Sequence, residues 1–179
     1  MIGIEAQERI FYALAGNVAL NNCFNARVLN LALSDTQQPI NIPVPDYCSA
    51  GSFGSLELRE TSHNEYIGQT INYSSDSLTE VACQTIDSFN LPRLDLLKID
   101  VEGMEIEVLK GARESLQTLN PVIFIEYIKV GHEKLARYFA ELDYVTLQIG
   151  INLIALHKND PLIENFAPNL QKIMREQQV

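Results

Sequence analysis

The sequence contains no tryptophan and only three cysteines. Cys23, Cys48 and Cys83 are odd in number and lack C-x-x-C spacing. That excludes a disulfide framework or a zinc ribbon, and the three read as reduced cytosolic thiols. Positive charge is also scarce, with 13 Lys and Arg against 23 Asp and Glu and a net charge of −10. Such a balance repels a nucleic-acid backbone, and no Lys/Arg cluster offers a local exception, so no nucleic-acid partner is expected. No apolar run approaches the ~20 residues of a membrane span, and no signal peptide opens the chain. The expectation is a cytoplasmic protein with no membrane span.

What is present describes a globular fold. At 179 residues with 46% hydrophobic and 20% charged content, the chain is long enough for one domain with a sizeable core. "IGIE" reads as a short strand closing in an acid. Ile10, Phe11, Leu14, Val18 and Leu20 recur at near-helical spacing, which predicts a helix over 6–20 ended by Asn21-Asn22. "ARVLNLALSD" is a second apolar strand that turns at Ser34-Asp35. Strand, helix and strand in this order, without hairpin turns, predict an α/β fold with a mostly parallel sheet.

From 36 to 80 the texture changes, with Pro39, Pro43, Pro45, "SAGSFGS" and "NYSSDS" punctuating short β-like pieces such as "LELRE" and "YIGQTINY". This predicts a β-rich insertion, closed by the strand "TEVACQTID". "RLDLLKIDV" then reads as a strand buried on both faces. Residues at three- and four-step spacing from Glu105 to Leu119 predict one helix over 102–119. "VIFIEY" is another buried strand, "HEKLARYFAEL" a helix, and "YVTLQIG" with "NLIALHK" a terminal antiparallel hairpin through Gly150-Ile151-Asn152. Residues 160–179 form a polar tail, and no internal repeat divides the chain.

Three of these strands close in carboxylates: Glu5, Asp100 with Glu102, and Glu126. In open α/β sheets ligands bind beyond the carboxyl ends of the strands. Taken singly, each acid has a plainer explanation. Glu102 and Glu105 fall where a helix start favours acids by about 0.3–1 kcal/mol, and Glu5 alone would pass as a solvated loop acid. A lone His132 at a helix start is commonly a surface or capping residue. Their repetition at several strand ends favours a polar ligand. Divalent metal on Asp100, Glu102 and Glu105 is the lesser alternative, so no metal is expected.

"LLKIDVEGMEIEVLKGA", 96–112, resembles the signature of the FkbM-type methyltransferases. "IGIEAQERIFYALAGNVALNN", "NLALSD", "VACQTIDSF" and "PVIFIEY" resemble further parts of that family in the same order. The resemblance implies a Rossmann-like class I domain that binds S-adenosylmethionine and methylates a hydroxyl on a sugar or other small molecule. It implies that Glu5 grips the cofactor ribose and that Ala32, Leu33, Ser34 and Asp35 lie near adenine. Asp100 and Glu102 would stand at the methionine part and the acceptor. Asp100, Glu126 and His132 are the candidates to take the acceptor's proton.

The same resemblance implies a strand ending in a D-x-G-x-x-x-G loop ahead of the first acid-ended strand, whereas Met1 runs directly into that acid strand. "AGSFGS" does not substitute for it, since no buried strand precedes it and no helix follows. The expectation is therefore a fold lacking its first strand, with two unpaired inner edges that invite self-association as a homo-oligomer. Weak or no cofactor binding by this chain alone follows. The alternative reading is a non-catalytic methyltransferase-like remnant or interaction module.

Overall fold

A computed structural model describes residues 1–164, which divide into two compact units. The first holds 1–89 together with 101–111, and the second holds 90–100 and the described residues from 112 onward. Most of the expected tail, 165–179, lies outside the described residues.

In the first unit, strand β1 (Ile2–Glu5) pairs in parallel with β2 (Arg27–Asn30), placing Glu5 opposite Asn30. Helix α1 (Glu8–Leu20) makes the crossover between them. It turns its Leu14 row toward the sheet, where a Cβ on Gly3 would lie 3.6 Å from Leu14 Cδ2. The helix stops because Asn22 adopts a left-handed backbone (φ 52°), while Cys23 N–H bonds the carbonyl of Val18.

The expected second strand splits. After β2, the short strand β3 (Ala32–Leu33) pairs in parallel with β6 (Cys83–Gln84). β4 (Ile40–Pro43) pairs antiparallel with β5 (Leu78–Val81). Ala32, Ile42, Val81 and Cys83 bury a shared apolar cluster. "TEVACQTID" is thus two strands rather than one.

Between β4 and β5 the β-like pieces expected in "LELRE" and "YIGQTINY" do not form. Residues 44–77 contain only the 3-10 turns Phe53–Ser55 and Ser75–Ser77. Side chains take the main-chain groups that a ladder would have used. Asp46 N–H bonds Gln69 Oε1, Thr61 N–H bonds Asn64 Oδ1, and Ser74 N–H bonds Asn72 Oδ1. The segment still packs, with Leu56, Glu57 and Ile67 buried.

The single helix expected over 102–119 is broken into α2 (Glu105–Lys110), in the first unit, and α3 (Arg113–Leu119), in the second. Gly111 is the cause. Its carbonyl accepts the N–H of Asp87 at 2.9 Å, so it does not continue the helical ladder. The next turn starts afresh with Leu116 N–H on Ala112 O at 2.8 Å.

The second unit is built on a four-stranded mixed sheet ordered β7-β8-β10-β9. β7 (Leu96–Ile99) runs parallel to β8 (Val122–Glu126). β10 (Asn152–His157) runs antiparallel both to β8 and to β9 (Tyr144–Ile149). The expected hairpin is present, with Gly150 and Ile151 as its loop and Asn152 already in β10. Helix α4 (His132–Ala140) covers the sheet through Leu135 and Phe139, which are fully buried, as are Ile123, Ile125 and Leu153.

One expectation fails at β7. It is not buried on both faces: Leu96 is 60% exposed and Lys98 is exposed, while Ile99 is buried. β1 and β7 each have one strand neighbour among the described residues, which is what the expected inner edges require of each strand by itself.

Candidate functional site

Within the first unit, β1 delivers Glu5 to its carboxyl end and Asn30 locks that end in place. Asn30 Nδ2 donates to the carbonyls of Glu5 and Ala6 at 2.9 and 3.1 Å. Glu5 Oε1 accepts the N–H of Gln7 at 2.7 Å. Burial raises the Glu5 carboxyl above the usual carboxylate range, against the lowering pull of the Gln7 and Ala6 N–H groups.

β3 follows β2 in the chain and ends in the expected turn. Ala32 and Ser34 are buried, Leu33 is half-buried and Asp35 is exposed. Ser34 N–H bonds the carbonyl of Gln84 at 3.0 Å, and its hydroxyl donates to Asp35 Oδ1 at 3.1 Å. The Glu102-Gly103 pair turns the chain into α2 with two consecutive left-handed residues, at φ 49° and 99°. Glu105 follows at 2% exposure, with Oε1 accepting Gly103 N–H at 3.1 Å. Glu105 is thus a helix-start acid, the first residue of α2, but a buried one that closes its own turn.

The second unit carries the other three candidates. Asp100, one residue past β7, is exposed and pairs with Lys98 Nζ at 2.6 Å. Glu126 ends β8 opposite Asn152, half-buried. His132 opens α4 and meets Tyr127 edge-on, ring centroids 5.6 Å apart at 88°. Tyr127 ties this corner together: its hydroxyl donates to Gly150 O at 3.0 Å and accepts Gln148 Nε2 at 2.6 Å. Its N–H bonds Ile151 O at 3.2 Å, and its carbonyl accepts Gly131 N–H at 2.7 Å. The end of β8, the β9–β10 turn and the start of α4 are thus joined through one side chain that follows Glu126 directly.

Sequence reasoning passed over Tyr127 and Gln148, and in the first unit Gln7, Tyr47 and Phe53. Adjacency to an acid-ended strand was the available signal for Tyr127 and Gln7. Tyr47 and Phe53 lie in a segment without periodicity and gave no signal. Among the described residues, no three His, Cys, Asp or Glu side chains gather into a metal-binding group. No described helix is long and apolar enough to cross a membrane.

A model of the methyltransferase FkbM domain matches residues 1–146. A 40-residue stretch is 45% identical to the hexuronic acid methyltransferase AglP of Haloferax volcanii, covering 22% of this chain and 17% of that protein. The structure of methyltransferase FkbM from Methylobacillus flagellatus superposes with a TM-score of 0.56 and 15% identity, covering 86% of this chain and 36% of the other. The similarity thus spans well under half the length of either relative, and the structural likeness shows a shared α/β fold.

Proposed function

The chain belongs to the FkbM methyltransferase family, and from that premise we propose an S-adenosylmethionine-dependent O-methyltransferase, on a Rossmann-like class I arrangement, acting on a hydroxyl of a sugar or other small molecule. The observation that carries the reading is Glu5, a half-buried carboxyl at the end of a parallel strand whose backbone is fixed by Asn30. A sugar acceptor is supported by the Haloferax relative, whose name specifies a hexuronic acid.

The donor set suits the cofactor. S-adenosylmethionine presents two ribose hydroxyls, an adenine amine and an ammonium group, all hydrogen-bond donors, and the candidate residues are acceptors. Glu5 would hold the ribose diol, and the Ala32–Asp35 turn would line the adenine with the Asp35 carboxylate at its rim. Asp100 and Glu102 would serve the methionine part. When bound, the cofactor supplies an electrophilic methyl group on a sulfonium.

The chain's own task is then alignment and proton removal. In-line displacement rewards holding the hydroxyl oxygen at near-attack distance, which needs rigid walls more than special chemistry. A carboxylate or imidazole within hydrogen-bond reach takes the hydroxyl proton as the new bond forms. Asp100 is the first candidate and Glu126 the second. His132, oriented by the Tyr127 ring, is the third.

The test is transfer of labelled methyl to hexuronic acid glycosides by wild type and by Asp100→Asn, Glu126→Gln and His132→Ala. Loss of the responsible base should lower kcat about 100-fold or more, with the fold intact. No transfer to any sugar or small-molecule hydroxyl, together with no cofactor binding, would leave the second reading, a non-catalytic methyltransferase-like module. That reading has its own support in the single strand neighbours of β1 and β7.

A further inference from the structure

Gln7 is one of five buried polar or charged residues among the described residues, at 6% exposure. Besides the helical bond its carbonyl accepts from Phe11 N–H at 2.8 Å, it makes three further hydrogen bonds. Its N–H donates to Glu5 Oε1 at 2.7 Å. Its side-chain Nε2 donates to the carbonyl of Phe53 at 2.8 Å, and its Oε1 accepts the hydroxyl of Tyr47 at 3.1 Å. A buried amide satisfied on both ends is a rigid connector, because losing either partner leaves a polar group desolvated.

What it connects is the irregular segment 44–77 to the end of β1. Tyr47 and Phe53 stack against each other with ring centroids 5.0 Å apart, tilted by 48°. The turn carrying Phe53 is itself held by Ser52 N–H on Ile67 O at 2.7 Å and by the Ser52–Ser55 hydroxyl pair at 3.0 Å. Burial pushes the Tyr47 hydroxyl up, and the charge of Glu5 pushes it the same way. An acid joined through one buried amide to two half-buried rings suits a ligand with hydroxyls on one side and a flat apolar surface on the other.

We propose that Gln7 is a positioning residue that clamps the 44–77 segment onto the β1–α1 turn, so that the Tyr47–Phe53 ring pair forms a wall of the nucleoside-binding site beside Glu5. The inference rests on the cofactor reading for the identity of the nucleoside. The clamp itself rests on geometry alone. It gives the insertion a function that its sequence does not advertise: it shapes the cofactor side of the site.

The experiment uses the full chain, titrated with S-adenosylhomocysteine and followed by saturation-transfer NMR. Amide hydrogen exchange over residues 46–55 is measured in parallel, for wild type, Gln7→Met, Tyr47→Phe and Tyr47→Leu. Gln7→Met keeps the volume and removes both side-chain bonds, so exchange over 46–55 should rise about tenfold and nucleoside affinity fall about fivefold. Tyr47→Phe, which keeps the ring, should raise exchange less than Gln7→Met and weaken the nucleoside less than about twofold, whereas Tyr47→Leu should weaken it about fivefold.

Unchanged exchange in Gln7→Met overturns the clamp whatever the ligand does. Raised exchange with unchanged affinity in both Gln7→Met and Tyr47→Leu overturns the wall. A wild-type chain that receives the nucleoside at no concentration refutes the cofactor reading and the wall with it. In that case the exchange data still decide the clamp, so the two failures are told apart.

Discussion

The main chain of Ser34 passes so close to Gly111 that a Cβ at position 111 would stand 2.0 Å from the Ser34 carbonyl oxygen. The obstacle is backbone on backbone, so no side chain can yield to relieve it. The glycine in "LKGA" is therefore a packing requirement, since Gly111 has an ordinary right-handed conformation (φ −72°). It lets the end of α2 lie against the turn after β3.

Gly111→Ala should accordingly destabilise the protein by about 3 kcal/mol or more, at the upper end of overpacking effects. A urea titration measures it through the shift in midpoint at constant slope. A variant within about 0.5 kcal/mol of wild type, as at an ordinary surface site, would contradict the close approach.

Glu5→Gln should make the fold more stable near neutral pH. The folded-state pKa of Glu5 is raised, chiefly by burial. Its protonated form therefore favours the folded state: the contribution is complete below the unfolded pKa and is lost as pH rises through the folded one. Glutamine can still accept the Gln7 N–H but carries no buried charge. Thermal midpoints compared from about pH 7 down to about pH 4 should show the variant's advantage shrinking with acidification. A gap that stays constant over that range would sink the argument.

Tyr144→Phe tests the core of the second unit. Tyr144 is buried, and its hydroxyl donates to the carbonyl of Leu116 at 3.1 Å, while its ring meets Phe139 and His157. Removing the hydroxyl leaves the carbonyl short of that donor and should cost about 1–2 kcal/mol. Chemical denaturation decides it, and a stabilised variant would mean that the bond contributes nothing.

These 179 residues on their own should bind S-adenosylmethionine weakly, with Kd above about 100 µM. Their sequence contains no D-x-G-x-x-x-G, and β1 and β7 each have one strand neighbour among the described residues. Isothermal calorimetry is the check, and low-micromolar affinity would refute the expectation.

Where side chains alternate or recur at helical spacing, the chain could be read directly. α1, β8, α4 and the β9–β10 hairpin all form where Leu14, Ile123, Leu135 and Leu153 place their apolar rows. The break at Gly111 could not be seen that way, because the periodicity of Val108, Leu109, Ala112 and Leu116 continues across it. What interrupts the helix is a long-range bond from Asp87. The segment 44–77 misled for the opposite reason. Its β-like residues are real, but Asp46, Asn64 and Asn72 divert the backbone into local bonds.

The site divides likewise. Glu5, Asp100 and Glu126 stand at strand ends, where their sequence positions put them. Gln7 and Tyr127 act through partners 40 or more and about 20 positions away, such as Phe53 and Gly150, and local spacing cannot encode such pairs.

The Glu102-Gly103 turn, with Glu105 folded back on it, has a consequence for the kind of ligand this end of the chain can welcome. Glycine turns at strand-to-helix junctions commonly offer their N–H groups to phosphate. Here Gly103 N–H is already engaged by a carboxylate of the same turn. A phosphate arriving at this turn would find the Gly103 donor already taken by a side chain two residues on. The turn is thus closed on itself, and its glycine serves the bend of the chain, not the capture of an anion.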